Sequence, residues 1–400
     1  MKVVQINAVY GVGSTGRIVQ DISGALTARG IDAYAFWAIQ CKEDDDAHFV
    51  RIGTTLDHKF HALLRRLDGK QGWHSKGATK KLCRQLLEIK PDVVHLHNLH
   101  SNYVHLPTLL KFLGEQNIPT LITLHDCWMF TAGACMHYFD CGGWKEGCAN
   151  CPVAKGRQNK VAQMYKVKKD LYAQMDNLYV NGVSQWTRDA AGQSMLKNAK
   201  DILCIYNWVD TDVFKPQGNT KEIREKYGVP EHHKLILGVS QGWSKEKGLQ
   251  EFVQVAEQWK DTVTVLLVGQ GENVPKMENL RCVGFTNNRQ ELVELYSAAD
   301  VLLNPSKAET FGLVTAEAMA CGTPVVAYNN SGATELVAPQ CGALVPDGDA
   351  LALMEGIQAV LQKGKSNYAD ACRQHVLENF EKEKQIRKYI DLYGRMAREK

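Results

Sequence analysis

Short apolar, β-branched runs alternate with amphipathic stretches along nearly the whole chain. The runs "KVVQINAV" (2–9), "VVHLH" (93–97), "TLITLH" (120–125), "LYVNGVS" (178–184), "ILCIYN" (202–207), "LILGVS" (235–240), "VTVLLVG" (263–269), "RCVGF" (281–285), "VLLNPS" (301–306) and "VVAYN" (325–329) read as strands. Most are apolar nearly throughout rather than at alternate positions, the pattern of parallel strands covered on both faces. The stretches between them, such as "TGRIVQDISGALTARG" and "GLQEFVQVAEQWKD", repeat apolar residues at helical spacing and read as crossovers. A chain of 400 residues exceeds one ordinary core, so the alternation predicts an α/β protein with two doubly wound domains. The polar, turn-rich "IYNWVDTDVFKPQGNTKE" puts the boundary within 185–215. The expected parts are an N-terminal domain over 1–185, a C-terminal domain over 205–375, and a charged helix over 376–400 that packs back on the first domain.

Ligands of open α/β sheets bind beyond the carboxyl ends of the strands, so the loops there hold the candidate chemistry. "YGVGSTGRI" (10–18) follows the first strand, and Gly13 and Gly16 would let backbone amides approach an anion. A simple tight turn explains the same residues. "TLHDCW" ends a strand with His125 and Asp126, either functional groups or a satisfied core histidine. "SQGWSKEKG" (240–248) offers Lys245 and Lys247 to a diphosphate, or is a solvated basic turn. "ETFGLVTAE" (309–317) is the most informative stretch. It places Glu309 in a loop, Gly312 and Leu313 at a helix start, and Glu317 in the second turn. Two carboxylates then bracket free backbone N–H groups. Carboxylates accept from sugar and ribose hydroxyls, and the amides suit a phosphate, so the stretch fits a sugar nucleotide.

On these residues the chain resembles a known family. "LLNPSKAETFGLVTAEAMACGTPVVAYNNSGATELV" is similar to the C-terminal signature of the family 4 retaining glycosyltransferases. "VSQWTRDAAGQSMLKNAKDILCIYNWVDTDVFKP" resembles their interdomain segment, and "TLHD" their histidine-bearing strand end. The resemblance implies the GT-B fold, two Rossmann-like domains facing across a cleft, with the acceptor on the first and a sugar nucleotide (UDP- or GDP-linked) on the second. It implies that Glu309 contacts the donor sugar and Glu317 the ribose. Lys247 and Lys245 would meet the diphosphate, although Gln241 stands where the family usually carries an arginine. The residues expected at the donor are Gly13, Gly16, Lys245, Lys247, Glu309, Phe311, Gly312, Leu313 and Glu317. Those expected at the acceptor are Arg17, Asn98, His100 and Asp126. His125, Glu309 and Lys247 would lie nearest the reacting bond, His125 through a polar contact. The family needs neither a catalytic metal nor a dedicated base, because the departing phosphate can take the acceptor proton. A saccharide or polyprenyl-linked saccharide acceptor in bacterial exopolysaccharide or capsule synthesis is the implied partner. The rivals are a sugar-nucleotide epimerase of the same fold and a non-catalytic, zinc-stabilised sugar-nucleotide-binding protein.

Cysteine usage adds a separate question. The loop 127–152 carries Cys135, Cys141, Cys148 and Cys151 at spacing C-x5-C-x6-C-x2-C. The closing C-x2-C-P suits a tetrahedral thiolate knuckle holding structural zinc, with His137 an alternative ligand. Disulfides and free thiols stay open. Similar loops occur in family 4 enzymes of colanic acid type.

Charge changes the picture only locally. The net charge is +3, but residues 1–180 hold 22 basic against 16 acidic residues. Most of that excess lies in 58–90, with nine bases and two acids. Such a patch can rest on an anionic membrane, hold phosphates, or be a solvated face. No nucleic-acid motif accompanies it. No apolar run reaches the roughly 18 residues of a membrane span. The N-terminus lacks a signal peptide's pattern. The expected location is cytoplasmic, peripheral at the inner face of the membrane. The acidic "EDDD" at 43–46 reads as an exposed loop.

Overall fold

The computed structural model describes residues 1–132, 141–152, 154, 158–286 and 288–400. It divides into two compact units, Met1–Ile205 with Ile386–Lys400, and Tyr206–Gln385.

Among the described residues, the first unit holds nine strands: β1 (Lys2–Ile6), β2 (Val9–Tyr10), β3 (Asp32–Trp37), β4 (Gln40–Cys41), β5 (His48–Arg51), β6 (Val93–Leu96), β7 (Thr120–Leu124), β8 (Leu178–Gly182) and β9 (Asp201–Cys204). Seven form one sheet in the order β5-β3-β1-β6-β7-β8-β9, while β2 and β4 pair with each other. β1 lies inside the sheet beside the central β6, with Val3 opposite both Ala33 and Val93 in parallel register. Every residue of β6, β7 and β8 is buried, as their apolar character requires. β3 and β5 escape the apolar pattern, because "HFVR" is a half-exposed edge strand and "DAYAFW" mixes small and polar positions. "EDDD" is not simply an exposed loop. Asp44 is half-buried and accepts from the Tyr10 hydroxyl at 3.1 Å and Gln20 Nε2 at 2.6 Å.

The chain's last residues complete this unit. Within the helix Lys382–Arg398, Tyr389 and Tyr393 are fully buried. The Tyr393 hydroxyl lies 2.7 Å from His95 Nδ1, and Asn181 donates to the Tyr389 hydroxyl at 2.8 Å. Elsewhere in the core, Lys168 is wholly buried and donates to the carbonyls of Trp128 and Thr131, its ammonium 4.3 Å over the Trp128 ring. Burial pulls this amine down to about 7.

The second unit holds β10 (Lys234–Gly242), β11 (Val263–Gln270), β12 (Leu280–Cys282), β13 (Val301–Asn304), β14 (Val325–Tyr328) and β15 (Gly342–Val345). All pair in parallel, in the order β12-β11-β10-β13-β14-β15. β15 is a short edge strand with three half-buried residues, again too weak a signal to read.

Both sheets have the order of a doubly wound fold. The strands stay parallel, but the order in which they are added reverses between β1 and β6 in one sheet and between β10 and β13 in the other. The crevice for a ligand opens at the carboxyl ends of those pairs. Among the described residues, no helix is long and apolar enough to cross a membrane.

Candidate active site

In the second unit the loops after β10 and β13 meet at that reversal point. The turn Lys245–Lys247 follows β10 and ends at Gly248, whose φ is 75°. A Cβ at Gly248 would lie 2.3 Å from Pro305 Cγ, so only glycine lets the two loops close together. That contact sets Lys247 beside the β13 loop. Its Nζ donates to Glu309 Oε1 at 2.7 Å and to Ser306 Oγ at 3.3 Å. Lys245 is exposed in the same turn, as is Gln241 before it.

Glu309 is held by its main chain. Its N–H donates to Ser331 Oγ at 2.9 Å, and its carbonyl accepts from the Gly332 N–H at 2.8 Å. Gly312 then starts the helix Leu313–Ala320 in left-handed geometry, φ 97°, and no side chain caps that start. The Thr315 N–H donates to the Gly312 carbonyl at 3.0 Å, so the amides this start offers to an anion are those of Leu313 and Val314. Asn304 at the end of β13 ties the parts together: it accepts from the Ser306 N–H and donates to Thr315 Oγ1. Glu317 accepts from the Tyr296 hydroxyl at 2.9 Å. Burial and the neighbouring Glu317 keep that phenol protonated. The Phe311 ring does not line an open surface. It is buried against Phe380 and Tyr206, with centroids 5.6 and 6.2 Å away, which leaves only its backbone for a ligand.

In the first unit the loops after β1, β6 and β7 gather at the other reversal point. Gly11, Gly13 and Gly16 have the G-x-G-x-x-G spacing, and the last two differ in their surroundings. Gly16 lies in the helix Gly13–Thr27, where a Cβ would stand 3.1 Å from Val9 Cγ2, so it serves close packing. Gly13, φ 65°, has nothing within 4 Å of a Cβ and is open. Arg17 lies half-buried on the same helix. Asn98 takes the Asn7 side chain on its N–H and the Tyr103 hydroxyl on its carbonyl. Asp126 is clasped by His100 Nε2 at 2.8 Å and by the Trp128 N–H at 2.8 Å. Burial opposes its charge, but these bonds hold the carboxyl below its usual range.

His125 joins a row of imidazoles. Its Nε2 lies 3.0 Å from His97 Nδ1, and the His97 and His95 rings are 3.8 Å apart. The proton positions follow from one carbonyl. Gln5 Nε2 donates to Val19 O, which can only accept, so Gln5 Oε1 faces His97 Nε2 at 3.2 Å and must accept from it. Burial and its neighbours His95 and His125 keep His97 neutral, so its Nδ1 is bare and accepts from His125 Nε2–H. Burial also pulls the His125 imidazole down to about 4. His125 is thus a neutral, orientation-locked ring. Neither Gln5 nor His97 was legible as part of the site. The only signal was the alternation His95-Leu96-His97 at the end of β6, which sets both rings on the same side of the extended chain.

The comparisons with known proteins bear on both sites at once. The description "Glycosyltransferase Family 4" matches residues 15–213, and "Glycosyl transferases group 1" matches residues 233–363. The chain belongs to the family 4 and group 1 glycosyltransferases. It is 29% identical over 217 residues to N-acetyl-alpha-D-glucosaminyl L-malate synthase of Bacillus anthracis, covering 51% of this chain and 56% of that protein. It is 24% identical over 274 residues to the putative colanic acid biosynthesis glycosyl transferase WcaC of Escherichia coli K12, covering 66% of each. The matches thus span less than two thirds of both curated relatives. In structure it resembles sucrose-phosphate synthase of Thermosynechococcus elongatus, with TM-score 0.73, 19% identity and all of both chains covered. It also resembles Anabaena HepE in complex with UDP and glucose, with TM-score 0.69, 17% identity, and 98% and 99% of the chains covered. The fold of this glycosyltransferase family member is GT-B.

The cysteine cluster is only partly described. Cys135 and His137 lie outside the described residues. Cys148 and Cys151 are buried and Cys141 is half-buried. Burial pushes the Cys148 thiol up to about 11, with Cys151 and Cys141 adding to it. Among the described residues, no three His, Cys, Asp or Glu are gathered so as to hold a metal ion.

Proposed function

We propose that the protein is a retaining glycosyltransferase that moves a sugar from a nucleoside diphosphate sugar to a saccharide acceptor in cell-surface polysaccharide synthesis. The observation that carries this reading is the Lys247–Glu309 pair at the β10/β13 reversal point, beside an uncapped helix start. Without donor, the two charges neutralise each other. With donor, Lys247 would turn to the diphosphate and Glu309 to a sugar hydroxyl. Gly312 and Leu313 offer amides to the same phosphates, and Lys245 adds a nearby cation. Glu317, one turn into the helix, suits the ribose. HepE carries UDP and glucose on the same fold, which supports this class of donor.

The chemistry follows from charge. As the bond to the anomeric carbon breaks, positive charge grows on the sugar and negative charge on the leaving diphosphate. Fixed cations and oriented amides stabilise the latter without reorganising. The leaving phosphate oxygen can take the acceptor's proton, so no separate base is needed, and departure and attack on one face retain the anomeric configuration. The first unit would bind the acceptor through Asn98, His100, Asp126 and Arg17. His125, neutral and fixed in orientation, offers a rigid polar surface rather than a proton. A polyprenyl-linked acceptor would bring the protein to the inner face of the membrane. Relatedness to WcaC supports the polysaccharide setting.

The test is a panel of UDP- and GDP-sugars read by thermal shift and nucleotide release, with Glu309→Ala alongside. One donor should stabilise the protein and slowly release nucleoside diphosphate, and the variant should lose both effects. A panel in which no nucleotide stabilises the wild type overturns the reading.

A further inference from the structure

The helix Thr55–Asp68 buries only one of its side chains, His61. His61 Nδ1 bonds Ser75 Oγ at 2.8 Å, and its ring packs on His74, which fastens the helix along that side. Four large apolar side chains point the other way. Leu56 is 77% exposed, Phe60 62%, Leu63 53% and Leu67 69%. Steps of four, three and four residues put them in one row along the helix. Single exposed apolar residues are ordinary, but a continuous row of four marks an interaction surface.

The charge around the row selects the partner. Lys59 and Arg66 are exposed on its border, since Leu63 lies four residues after the one and three before the other. The next helix, Lys76–Ile89, exposes Lys76, Lys80, Lys81 and Arg84. Among the described residues, none of these four has a carboxylate within salt-bridge distance. Residues 55–90 carry nine bases and three acids. A second copy of the chain docking by two-fold symmetry would set this basic face against itself. A bilayer with anionic headgroups takes up the cations and the apolar row together.

We infer that Leu56, Phe60, Leu63 and Leu67 form a ridge that inserts into the headgroup region of an anionic membrane, with Lys59, Arg66 and the bases of the following helix on the lipid phosphates. The inference deepens the reading of a lipid-linked acceptor and rests on it. It also moves the anchor from the bases alone to an apolar row that they flank.

The experiment uses the full chain with phosphatidylcholine vesicles, with and without phosphatidylglycerol, read by co-sedimentation. The wild type should bind the phosphatidylglycerol vesicles. Phe60→Ser with Leu63→Ser should weaken that binding about tenfold or more, with circular dichroism and melting temperature unchanged. Lys80→Gln with Lys81→Gln should cut the preference for phosphatidylglycerol. Wild type that ignores these vesicles, or a serine variant that binds as wild type, overturns the inference. So does a serine variant that changes only the chain's association state, which would make a second copy the occupant. Nucleotide-sugar titration of the same samples separates the two readings. Donor binding by the wild type without vesicle binding sinks the ridge alone, and vesicle binding without donor binding sinks the transferase.

Discussion

Lys247 Nζ lies 2.7 Å from Glu309 Oε1, although 62 residues separate them in the chain. Their meeting depends on Gly248 passing Pro305 and on Ser331 and Gly332 holding the backbone of Glu309. Both side chains keep some exposure, 39% and 20%, so solvent screens the pair and its worth to folding is small. Glu309→Gln and Lys247→Met should therefore leave the melting temperature nearly unchanged. Transfer should fall by about 10²–10³, the usual effect of losing one oriented charge contact to the transition state. A large drop in melting temperature with activity retained would make the pair structural, and calorimetry beside a nucleotide-release assay reads both.

Gly248 and Gly13 give a matched comparison. Each has positive φ, 75° and 65°, so alanine carries backbone strain of about 1–2 kcal/mol at either site. Only at Gly248 does the new Cβ also meet Pro305. Gly248→Ala should cost about 1–3 kcal/mol more than Gly13→Ala, by the overpacking it forces. It should also weaken donor binding, because Lys247 moves with the turn. Urea titrations of the two variants check this, and equal midpoints would refute the loop-closure argument.

The imidazole row makes stability depend on pH in a fixed direction. Burial holds His95 and His97 well below the ordinary imidazole value, and His125 at about 4. The unfolded chain titrates its histidines near about 6.5. Between about pH 6.5 and 4 the unfolded chain thus binds more protons than the native one, so stability is full above that window and is lost as pH falls through it. Each histidine contributes a slope of up to about 1.4 kcal/mol per pH unit. Urea midpoints measured down to about pH 4.5 should fall steadily, and more shallowly in His97→Gln. A flat profile in the wild type would mean that these rings titrate normally.

The cysteine loop is decided by metal content. If Cys135 joins Cys141, Cys148 and Cys151, the untagged protein should carry about one zinc, as a closed four-thiolate site does. Chelation should then lower the melting temperature. Protein without zinc and with all four thiols titratable would leave the loop to burial and packing alone.

The sequence makes some of this legible and hides the rest for physical reasons. Strands such as Val263–Gln270 and Val301–Asn304 stand out because both faces are buried, which forces apolar residues throughout. His48–Arg51 and Gly342–Val345 do not, because an edge strand needs far less apolar surface. Glu309, Gly312 and Glu317 are readable because one short loop and helix carries all three. The Lys247–Glu309 pair and the Gln5–His97–His125 relay are not, because each joins loops that only the sheet order brings together. Phe311 shows the converse limit. Its neighbours in sequence suggest ligand contact, while its ring fills a gap between Tyr206 and Phe380.

The return of residues 386–400 to the first unit bears on biosynthesis. A ribosome delivers the first 205 residues long before Tyr389 and Tyr393. Until those phenols emerge, His95, Thr123 and Asn181 stand without the hydroxyls that meet them in the finished protein. The second unit, a single uninterrupted stretch, has all its residues available earlier. Folding during synthesis should therefore finish in the reverse of genetic order, with the N-terminal unit sealed last by the C-terminal helix.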